Sequence, residues 1–373
     1  MKFEQYPFEK LSELLAEITP NKNYDLIDLT IGEPQFETPQ FIQDSLKDSL
    51  NLLRKYPKST GEKYLKDAII NFMKRRFGTK LEDNQLIPTF GTREVLFNFP
   101  QYLLFDVENP KMVFTNPFYQ IYEGSAIASR AEVEYITLTK ENDFKPKIDE
   151  TTLVDTDLVI LNFPNNPTGS TLNYEEFVKW IELSQKYNFT LLNDECYSEI
   201  YMEEPPLSLL EVAKDMGIED FKNLLVINSL SKRSSAPGLR NGFIAGDSEI
   251  LKGYAKYRTY LGTAIPLPLQ IASADAWSDD THVEKSREVY KENMRLAKNI
   301  LGVDSPATFY LWLEVEDDLK ATKELFRDYN LKVIAGRFLG RDGAGENFIR
   351  IALVENSDKV KKALEIVREY LEN

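Results

Sequence analysis

The chain has 373 residues, of which 42% are hydrophobic, and this is enough to build one compact subunit with a large core. Its 45 basic and 60 acidic residues give a net charge of -15, which disfavours binding to nucleic acid or to anionic membrane surfaces. With one histidine and one cysteine, the chain has neither an intrachain disulfide nor a zinc site built from several His and Cys ligands, and we predict no metal.

The N-terminal stretch MKFEQYPFEKLSELLAEI mixes charges into an amphipathic pattern that secretory signals do not show. Further along, no apolar run approaches the roughly 18 residues of a membrane span. We therefore predict a cytoplasmic protein without a membrane segment.

The middle of the chain alternates short apolar runs with amphipathic helices. The runs are rich in Val, Ile, Leu and Phe and lack clean alternation, as expected for parallel strands that are covered on both faces. One helix is well marked, because Asn173 can cap YEEFVKWIELSQKY and its apolar residues fall on one face. The predicted strands are residues 86–90, 111–117, 157–164, 189–195, 223–229 and 241–246.

After about residue 280 the pattern changes to a long charged helix, two short strands at 309–315 and 347–354, and a closing helix. His282 lies at the start of this region, in the polar stretch SDDTHVEKS, where we expect a solvated surface imidazole rather than a catalytic one. The predicted fold class is α/β, with a large domain over residues 40–280 and a small α/β domain built from residues 1–39 and 281–373.

Polar segments directly follow four of the predicted strands. They are GTRE after residues 86–90, NNPTG after the 157–164 run, DECY after the 189–195 run, and SLSK after the 223–229 run. Ligands of open parallel sheets bind beyond the carboxyl ends of the strands. We therefore expect these segments to meet at one site.

Lys232 indicates the chemistry of that site. A lysine amine can form a Schiff base with an aldehyde when burial or nearby cations lower its pKa. Pyridoxal phosphate brings its own aldehyde, and it also needs a carboxylate at its ring nitrogen, donors to its phenolate oxygen and an anion clamp. The predicted partners are Asp194 for the ring nitrogen, Asn166 and Tyr197 for the phenolate oxygen, and Ser229, Arg240 and the amides of Gly91, Thr92 and Arg93 for the phosphate.

Three segments together resemble the signature of a known family. PNNPTG (164–169), NDECY (193–197) and SLSKRSSAPGLRNG (229–242) are similar to the motifs of class I/II pyridoxal-phosphate-dependent aminotransferases of fold type I. The resemblance covers nearly the whole chain. It implies a mostly parallel seven-stranded sheet in the large domain, and a homodimer with shared active sites.

The same resemblance gives roles to four further residues. Gly32 in LTIGEPQFETP would lie near the substrate carboxylate, and Arg350 in NFIRIAL would bind the α-carboxylate. Tyr119 in NPFYQIY would stack on the cofactor ring, and Tyr56 in YPKSTGEKYL would reach the phosphate of the neighbouring subunit. Lys232 would release the cofactor to the incoming amino acid and then move the Cα proton.

The substrate is indicated less directly. TFGTREVLFNFPQYLLFD and NDECYSEIY resemble the branch that includes succinyldiaminopimelate aminotransferases, which implies transfer between glutamate and N-succinyl-2-amino-6-ketopimelate. Cations would have to bind the distal carboxylate, and the candidates are Arg93, Arg258 and Arg337, although a surface salt bridge is an equal expectation for each.

Other functions stay open at this point. The same fold hosts C–S lyases and other amino-acid transaminases, such as aspartate aminotransferase, because the cofactor carbanion can react in several ways. A regulator with an aminotransferase-like domain is disfavoured, since only some 25 residues precede LTIGEP and the chain lacks a basic patch.

Overall fold

Helices and strands alternate along most of the chain in the computed structural model, which describes residues 2–372. The strands are β1 (Ile27–Asp28), β2 (Leu86–Thr89), β3 (Lys111–Asn116), β4 (Glu132–Thr137), β5 (Leu158–Leu161), β6 (Thr190–Asp194), β7 (Leu224–Ser229), β8 (Gly242–Gly246), β9 (Tyr310–Glu314), β10 (Leu331–Lys332), β11 (Ile334–Ala335) and β12 (Phe348–Ala352). The α-helices are α1 (Pro7–Leu15), α2 (Gln40–Asp48), α3 (Lys63–Phe77), α4 (Thr92–Leu103), α5 (Ile121–Ser129), α6 (Tyr174–Tyr187), α7 (Leu209–Asp215), α8 (Leu230–Arg233), α9 (Ser248–Arg258), α10 (Leu267–Ser278), α11 (Thr281–Leu301), α12 (Asp318–Tyr329) and α13 (Ser357–Glu372).

A seven-stranded sheet contains every strand predicted between residues 86 and 246. Its order is β2-β8-β7-β6-β5-β3-β4, and β8 is antiparallel to both of its neighbours while the other pairs are parallel. Strand β8 runs opposite to β2 and opposite to β7, so β2 and β7 run in the same direction. The carboxyl ends of β2, β5, β6 and β7 therefore meet at one edge, and the predicted fold class is confirmed.

The sheet separates two hydrophobic cores, because successive strand residues point to opposite faces. In β5, Val159 and Leu161 pack into the core that contains Trp180, whereas Leu158 and Ile160 pack into the core on the other face. All four side chains are fully buried. Burial of a Leu or Ile side chain contributes about 1.5–3 kcal/mol, so these runs stabilise the sheet from both faces.

The cap predicted for α6 is present. Asn173 Oδ1 accepts from the amide of Glu176 at 2.9 Å, and the Glu176 carboxylate accepts from the amide of Asn173 at 2.7 Å. The helix ends at Asn188, whose φ of 55° lies in the left-handed region. Each end of α6 is thus fixed by a residue that the local sequence provides.

A smaller three-stranded sheet, of order β11-β12-β9, is antiparallel. Beside it, β1 pairs with β10 in parallel, so the N-terminal segment lies on the C-terminal part of the chain. Strand β12 carries Arg350 and β9 carries Tyr310. The exact division into two domains stays a prediction.

Two kinds of feature are missing from residues 2–372. No helix there is long and apolar enough to cross a membrane. No group of three or more His, Cys, Asp and Glu side chains there could hold a metal ion.

Candidate active site

The carboxyl edge of the large sheet opens into a cleft of about 570 Å³. Residues from all four polar segments line it, together with residues from β12 and the segment after β1. Of the residues predicted for the site, those that line the cleft are Gly32, Thr92, Arg93, Tyr119, Asn166, Asp194, Tyr197, Ser229, Lys232, Arg240 and Arg350. The predicted residues Gly91 and Tyr56 are not part of this lining.

Lys232 lies in α8, the single helical turn that follows β7. Ser229, the last residue of β7, caps this turn by accepting from the amide of Ser231 at 3.2 Å. Burial lowers the pKa of Lys232 to about 8, and the charges of Arg350 and Arg240 act in the same direction. Roughly a tenth of this amine is therefore unprotonated and nucleophilic at pH 7, a far larger share than for an exposed lysine.

Asp194 ends β6 and is 4% exposed. The hydroxyl of Tyr122 donates to Asp194 Oδ2 at 3.0 Å, and the amide of Cys196 donates to Oδ1 at 3.1 Å. Burial raises the pKa of the Asp194 carboxyl, while these hydrogen bonds and the charge of Lys232 oppose the shift. A cationic partner inside the cleft would stabilise the ionised form of the Asp194 carboxyl.

Tyr122 is a site residue that the sequence reasoning missed. It lies in the first turn of α5, just beyond the end of β3, so its position at the carboxyl edge of the sheet was a usable signal. Its ring is 5.9 Å from that of Tyr119, centroid to centroid, at an angle of 78°.

Arg350 connects the small sheet to the NNPTG segment. Its Nη1 donates to Asn166 Oδ1 at 2.9 Å and its Nη2 donates to the Thr30 carbonyl at 2.6 Å. Its buried Nε has no hydrogen-bond partner among residues 2–372. A buried guanidinium with an unused donor, and with no carboxylate within 4 Å in the same range of residues, is suited to binding an anion.

Tyr310 is the second residue that was missed. Its hydroxyl is 3.0 Å from that of Tyr197, and the Arg350 guanidinium carbon lies 4.4 Å from its ring centroid. A Cβ on Gly32 would fall 1.7 Å from the Tyr310 hydroxyl. Glycine is therefore required at position 32 to leave space for this tyrosine.

Gly91 and Arg240 meet at the N-terminus of α4. Gly91 has a φ of 76°, and a Cβ placed on it would lie 2.5 Å from Arg240 Nη2. Arg240 Nη1 donates to the Pro237 carbonyl at 2.8 Å, which fixes the guanidinium. A helix N-terminus beside an arginine is favourable for a phosphate.

The three arginines considered for a distal carboxylate have different surroundings. Arg258 is buried and pairs with Glu94 at 2.6 Å, and Arg337 pairs with Asp318 at 2.6 Å. Arg93 instead donates from Nε to the Tyr119 hydroxyl at 2.8 Å, and no carboxylate among residues 2–372 lies within 4 Å of it. Of these three, Arg93 alone lines the cleft without a counter-charge.

Tyr56 projects away from its own chain. It is fully exposed, and it follows a 3-10 turn, Leu50–Arg54, in which Leu50 is 50% and Leu53 is 66% exposed. An apolar group of this kind on the surface of a single chain indicates a contact surface.

The prediction that His282 is a solvated surface residue was wrong. The ring is 8% exposed, its Nδ1 lies 2.6 Å from Asp279 Oδ2, and its Nε2 lies 2.8 Å from Ser234 Oγ. The polar sequence around it misled the prediction because the α10–α11 junction packs against the segment after α8, and this contact is not local in sequence.

Comparison with known proteins identifies the class. Residues 24–367 match the family model of aminotransferase class I and II, so the chain belongs to this family. The LL-diaminopimelate aminotransferase of Natranaerobius thermophilus is 31% identical, and the match covers 94% of this chain and 92% of that protein. The chain is therefore a pyridoxal-phosphate-dependent aminotransferase, and the predicted family, enzyme class and cofactor are confirmed.

Solved structures agree with this assignment. The crystal structure of aminotransferase AspB from Helicobacter pylori 26695 is 51% identical, with a TM-score of 0.98 over 100% of both chains. An aminotransferase from Neisseria meningitidis Z2491 is 40% identical, with a TM-score of 0.94 over 99% of this chain and 98% of that one.

Proposed function

We propose that Lys232 carries pyridoxal phosphate and that the cleft transfers an amino group between L-glutamate and a keto acid. One observation supports this most strongly. A buried lysine with its pKa lowered to about 8 lines the same cleft as a buried carboxylate, Asp194, and two arginines, Arg240 and Arg350. This set supplies the groups that the cofactor and an amino acid require.

The residues present fit the cofactor. The N-terminus of α4 with Arg240 would hold the phosphate, and any side chain at Gly91 would enter the space of that guanidinium. Asp194 would pair with the protonated ring nitrogen. This cationic partner would offset the free-energy cost of burying the negative charge of Asp194. The remaining contacts in the proposal are Ser229 and the amides of Gly91, Thr92 and Arg93 at the phosphate, Asn166 and Tyr197 at the phenolate oxygen, and Tyr119 against the ring.

When bound, pyridoxal phosphate supplies an electron sink for charge that develops at the substrate Cα. The chain's own residues do the rest. The Arg350 guanidinium, which lines the cleft, binds the α-carboxylate, and this contact orients the Cα–H bond. Once released from the cofactor, the Lys232 amine would take the Cα proton on Nζ and would deliver it to the former aldehyde carbon of the cofactor, not back to Cα. The same residue thus serves as attachment point and as base.

We also propose that the keto acid carries at least one distal carboxylate besides its α-carboxylate. The ionisable side chains that line the cleft include Lys232, Arg93, Arg240 and Arg350, against the single carboxylate Asp194. Two of these cations match the phosphate and the α-carboxylate, which leaves Arg93 for a second anionic group. The N-succinyl-2-amino-6-ketopimelate suggested by the sequence has such a group, and several relatives are named as acting on diaminopimelate, itself a diacid.

The proposal includes a homodimer in the cytoplasm. Tyr56 does not line the cleft of its own chain, and its exposure with Leu50 and Leu53 supports a contact with a second copy. In such a dimer each Tyr56 would complete the partner's phosphate site.

A single-turnover half-reaction tests the proposed function. The purified protein is loaded with pyridoxal phosphate and mixed with L-glutamate, without a keto acid. We expect the visible absorbance of the bound cofactor to disappear while one equivalent of 2-oxoglutarate forms per site. If the cofactor band persists with glutamate but responds to another amino acid, the donor is wrong. Release of ammonia and a thiol from a cysteine conjugate, without 2-oxoglutarate from glutamate, would favour a C–S lyase.

A further inference from the structure

The single histidine of the chain forms a buried relay next to the cleft. His282 lies in the first turn of α11, and its ring is held between Asp279 Oδ2 at 2.6 Å and Ser234 Oγ at 2.8 Å. The amide of His282 also donates to Asp279 Oδ2 at 3.0 Å. The two ring contacts, from Nδ1 to Asp279 and from Nε2 to Ser234, fix the imidazole in one orientation.

The proton positions follow from the partners. A carboxylate only accepts, so Nδ1 carries the proton and donates to Asp279, which leaves Nε2 to accept from the Ser234 hydroxyl. Burial lowers the pKa of His282, and the charge of Arg233 acts in the same direction, against Asp279 and Asp280. The neutral ring is therefore the form that accepts from Ser234.

The order Asp279–His282–Ser234 has the appearance of a hydrolytic triad, but Ser234 cannot act as a nucleophile. Its side chain is fully buried and is not among the residues that line the 570 Å³ cleft. A nucleophilic hydroxyl must reach its substrate. The hydrogen bonds of Asp279, His282 and Ser234 therefore act on the backbone segment that carries Ser234.

Ser234 closes the helical turn that carries Lys232. Its amide donates to the Leu230 carbonyl at 2.9 Å, at the end of α8. The preceding residue, Arg233, is tied to the same α10–α11 junction by hydrogen bonds to Asp280 Oδ1 and the Ala276 carbonyl, both at 2.6 Å. A four-residue helix has too few internal hydrogen bonds to hold its own shape, so these external contacts set its position.

We propose that His282 is a positioning residue for Lys232: through Ser234 it fixes the end of the turn from which the lysine projects. The inference rests on the proposed role of Lys232. Proton transfer at Cα requires Nζ to be placed accurately, and a displacement of about 1 Å can reduce a rate by roughly 100-fold. The relay contacts the end of α8 through Ser234, a residue that does not line the cleft.

Three substitutions test this inference: Ser234→Ala, His282→Asn and His282→Gln. The Gln amide can reach the position of Nε2 and donate or accept at Ser234, whereas the Asn amide reaches only toward Asp279. Ser184→Ala is the matched control, since Ser184 is also fully buried and donates one hydrogen bond, to the Phe189 carbonyl at 2.8 Å, away from the cleft lining.

The readouts are the single-turnover rate with glutamate, the KM for glutamate, and the pH at which the visible band of the bound cofactor titrates. We expect S234A and H282N to slow the half-reaction on the order of 10- to 100-fold with little change in KM. Both variants should also shift the pH at which the cofactor band titrates. H282Q should recover part of the rate. S184A should change neither rate nor titration.

The inference is overturned if S234A and H282N match S184A in rate and in band titration, or if H282Q recovers nothing relative to H282N. The band titration needs no turnover. A wild-type protein that binds the cofactor but ignores glutamate would therefore refute the proposed donor while the relay is still tested.

Discussion

At the scale of single residues, Arg93 decides whether the substrate proposal holds. We expect Arg93→Gln to lower kcat/KM for a long keto-diacid by roughly 10- to 100-fold more than kcat/KM for pyruvate, because only the diacid loses a charged hydrogen bond. The ratio of the two substrates is the measurement, since it cancels any general effect on the cofactor loop.

Arg130→Gln is the control for this prediction. Arg130 is exposed, ends α5, and its loss changes the net charge of the chain by the same amount. Equal losses with both substrates in R93Q, or a substrate-selective loss in R130Q, would contradict the role of Arg93.

Glu195 predicts a pH dependence of stability. It is 1% exposed, and burial raises its pKa to about 8 from a usual 4.5, against hydrogen bonds from the Leu209 amide and the side chains of Ser208 and Asn193. A carboxyl with a raised pKa keeps its proton in the folded state. Its contribution is complete below about pH 4.5 and is lost as the pH rises through about 8.

The Glu195→Gln variant cannot titrate at this position. Urea unfolding at pH 5, 6.5 and 8 should show the free energy of unfolding of the wild type falling relative to that of E195Q, by on the order of a few kcal/mol across the window. Parallel curves for the two proteins would show that Glu195 titrates normally in the folded state.

Sequence patterns identified the site residues that carry motifs but missed those that depend on tertiary contacts. Lys232, Asp194 and Arg350 stand at strand ends or in marked segments, and the structure brings them to one cleft. Tyr310 was missed because it enters from another sheet. His282 was misjudged because its polar neighbours in sequence hide a buried contact with Ser234.

At the scale of elements, the cap of α6 is a local signal with a measurable value. Asn173→Ala removes the acceptor for the Glu176 amide and should reduce the free energy of unfolding by about 1 kcal/mol. Asn173→Ser keeps a side-chain acceptor and should retain most of the wild-type stability. Chemical denaturation of the three proteins measures this. If N173A were as stable as the wild type, the cap would contribute nothing.

Strand β4 shows where local patterns fail for elements. Its sequence EVEYIT mixes charged and apolar residues, and only one of its six residues is buried because it forms an edge of the large sheet. The fully buried strands β5 and β6 gave clear apolar runs. An edge strand is defined by its pairing with β3, which lies beyond any local window.

At the scale of the whole molecule, the exposed turn Leu50–Arg54 predicts a dimer. We expect the wild type to sediment as a dimer at micromolar concentration and Leu53→Glu to sediment as a monomer, because a charge buried in an apolar interface is strongly unfavourable. Leu371→Glu, on an exposed residue of the last helix, is the control and should leave the dimer intact.

The same experiment connects assembly to the site. Monomeric L53E should bind pyridoxal phosphate more weakly than the wild type, because each phosphate site would lose the Tyr56 of the second copy. A wild type that is monomeric, or an L53E protein that remains a dimer, would contradict the proposed interface.

The central claim is that Lys232 carries the cofactor, and one measurement tests it directly. The pyridoxal-phosphate-loaded protein is reduced with borohydride, digested, and its peptides are mapped by mass spectrometry. We expect one phosphopyridoxyl group per chain, on Lys232 in the peptide that contains SLSKR. A label on another lysine, with Lys232 unmodified, would contradict the account.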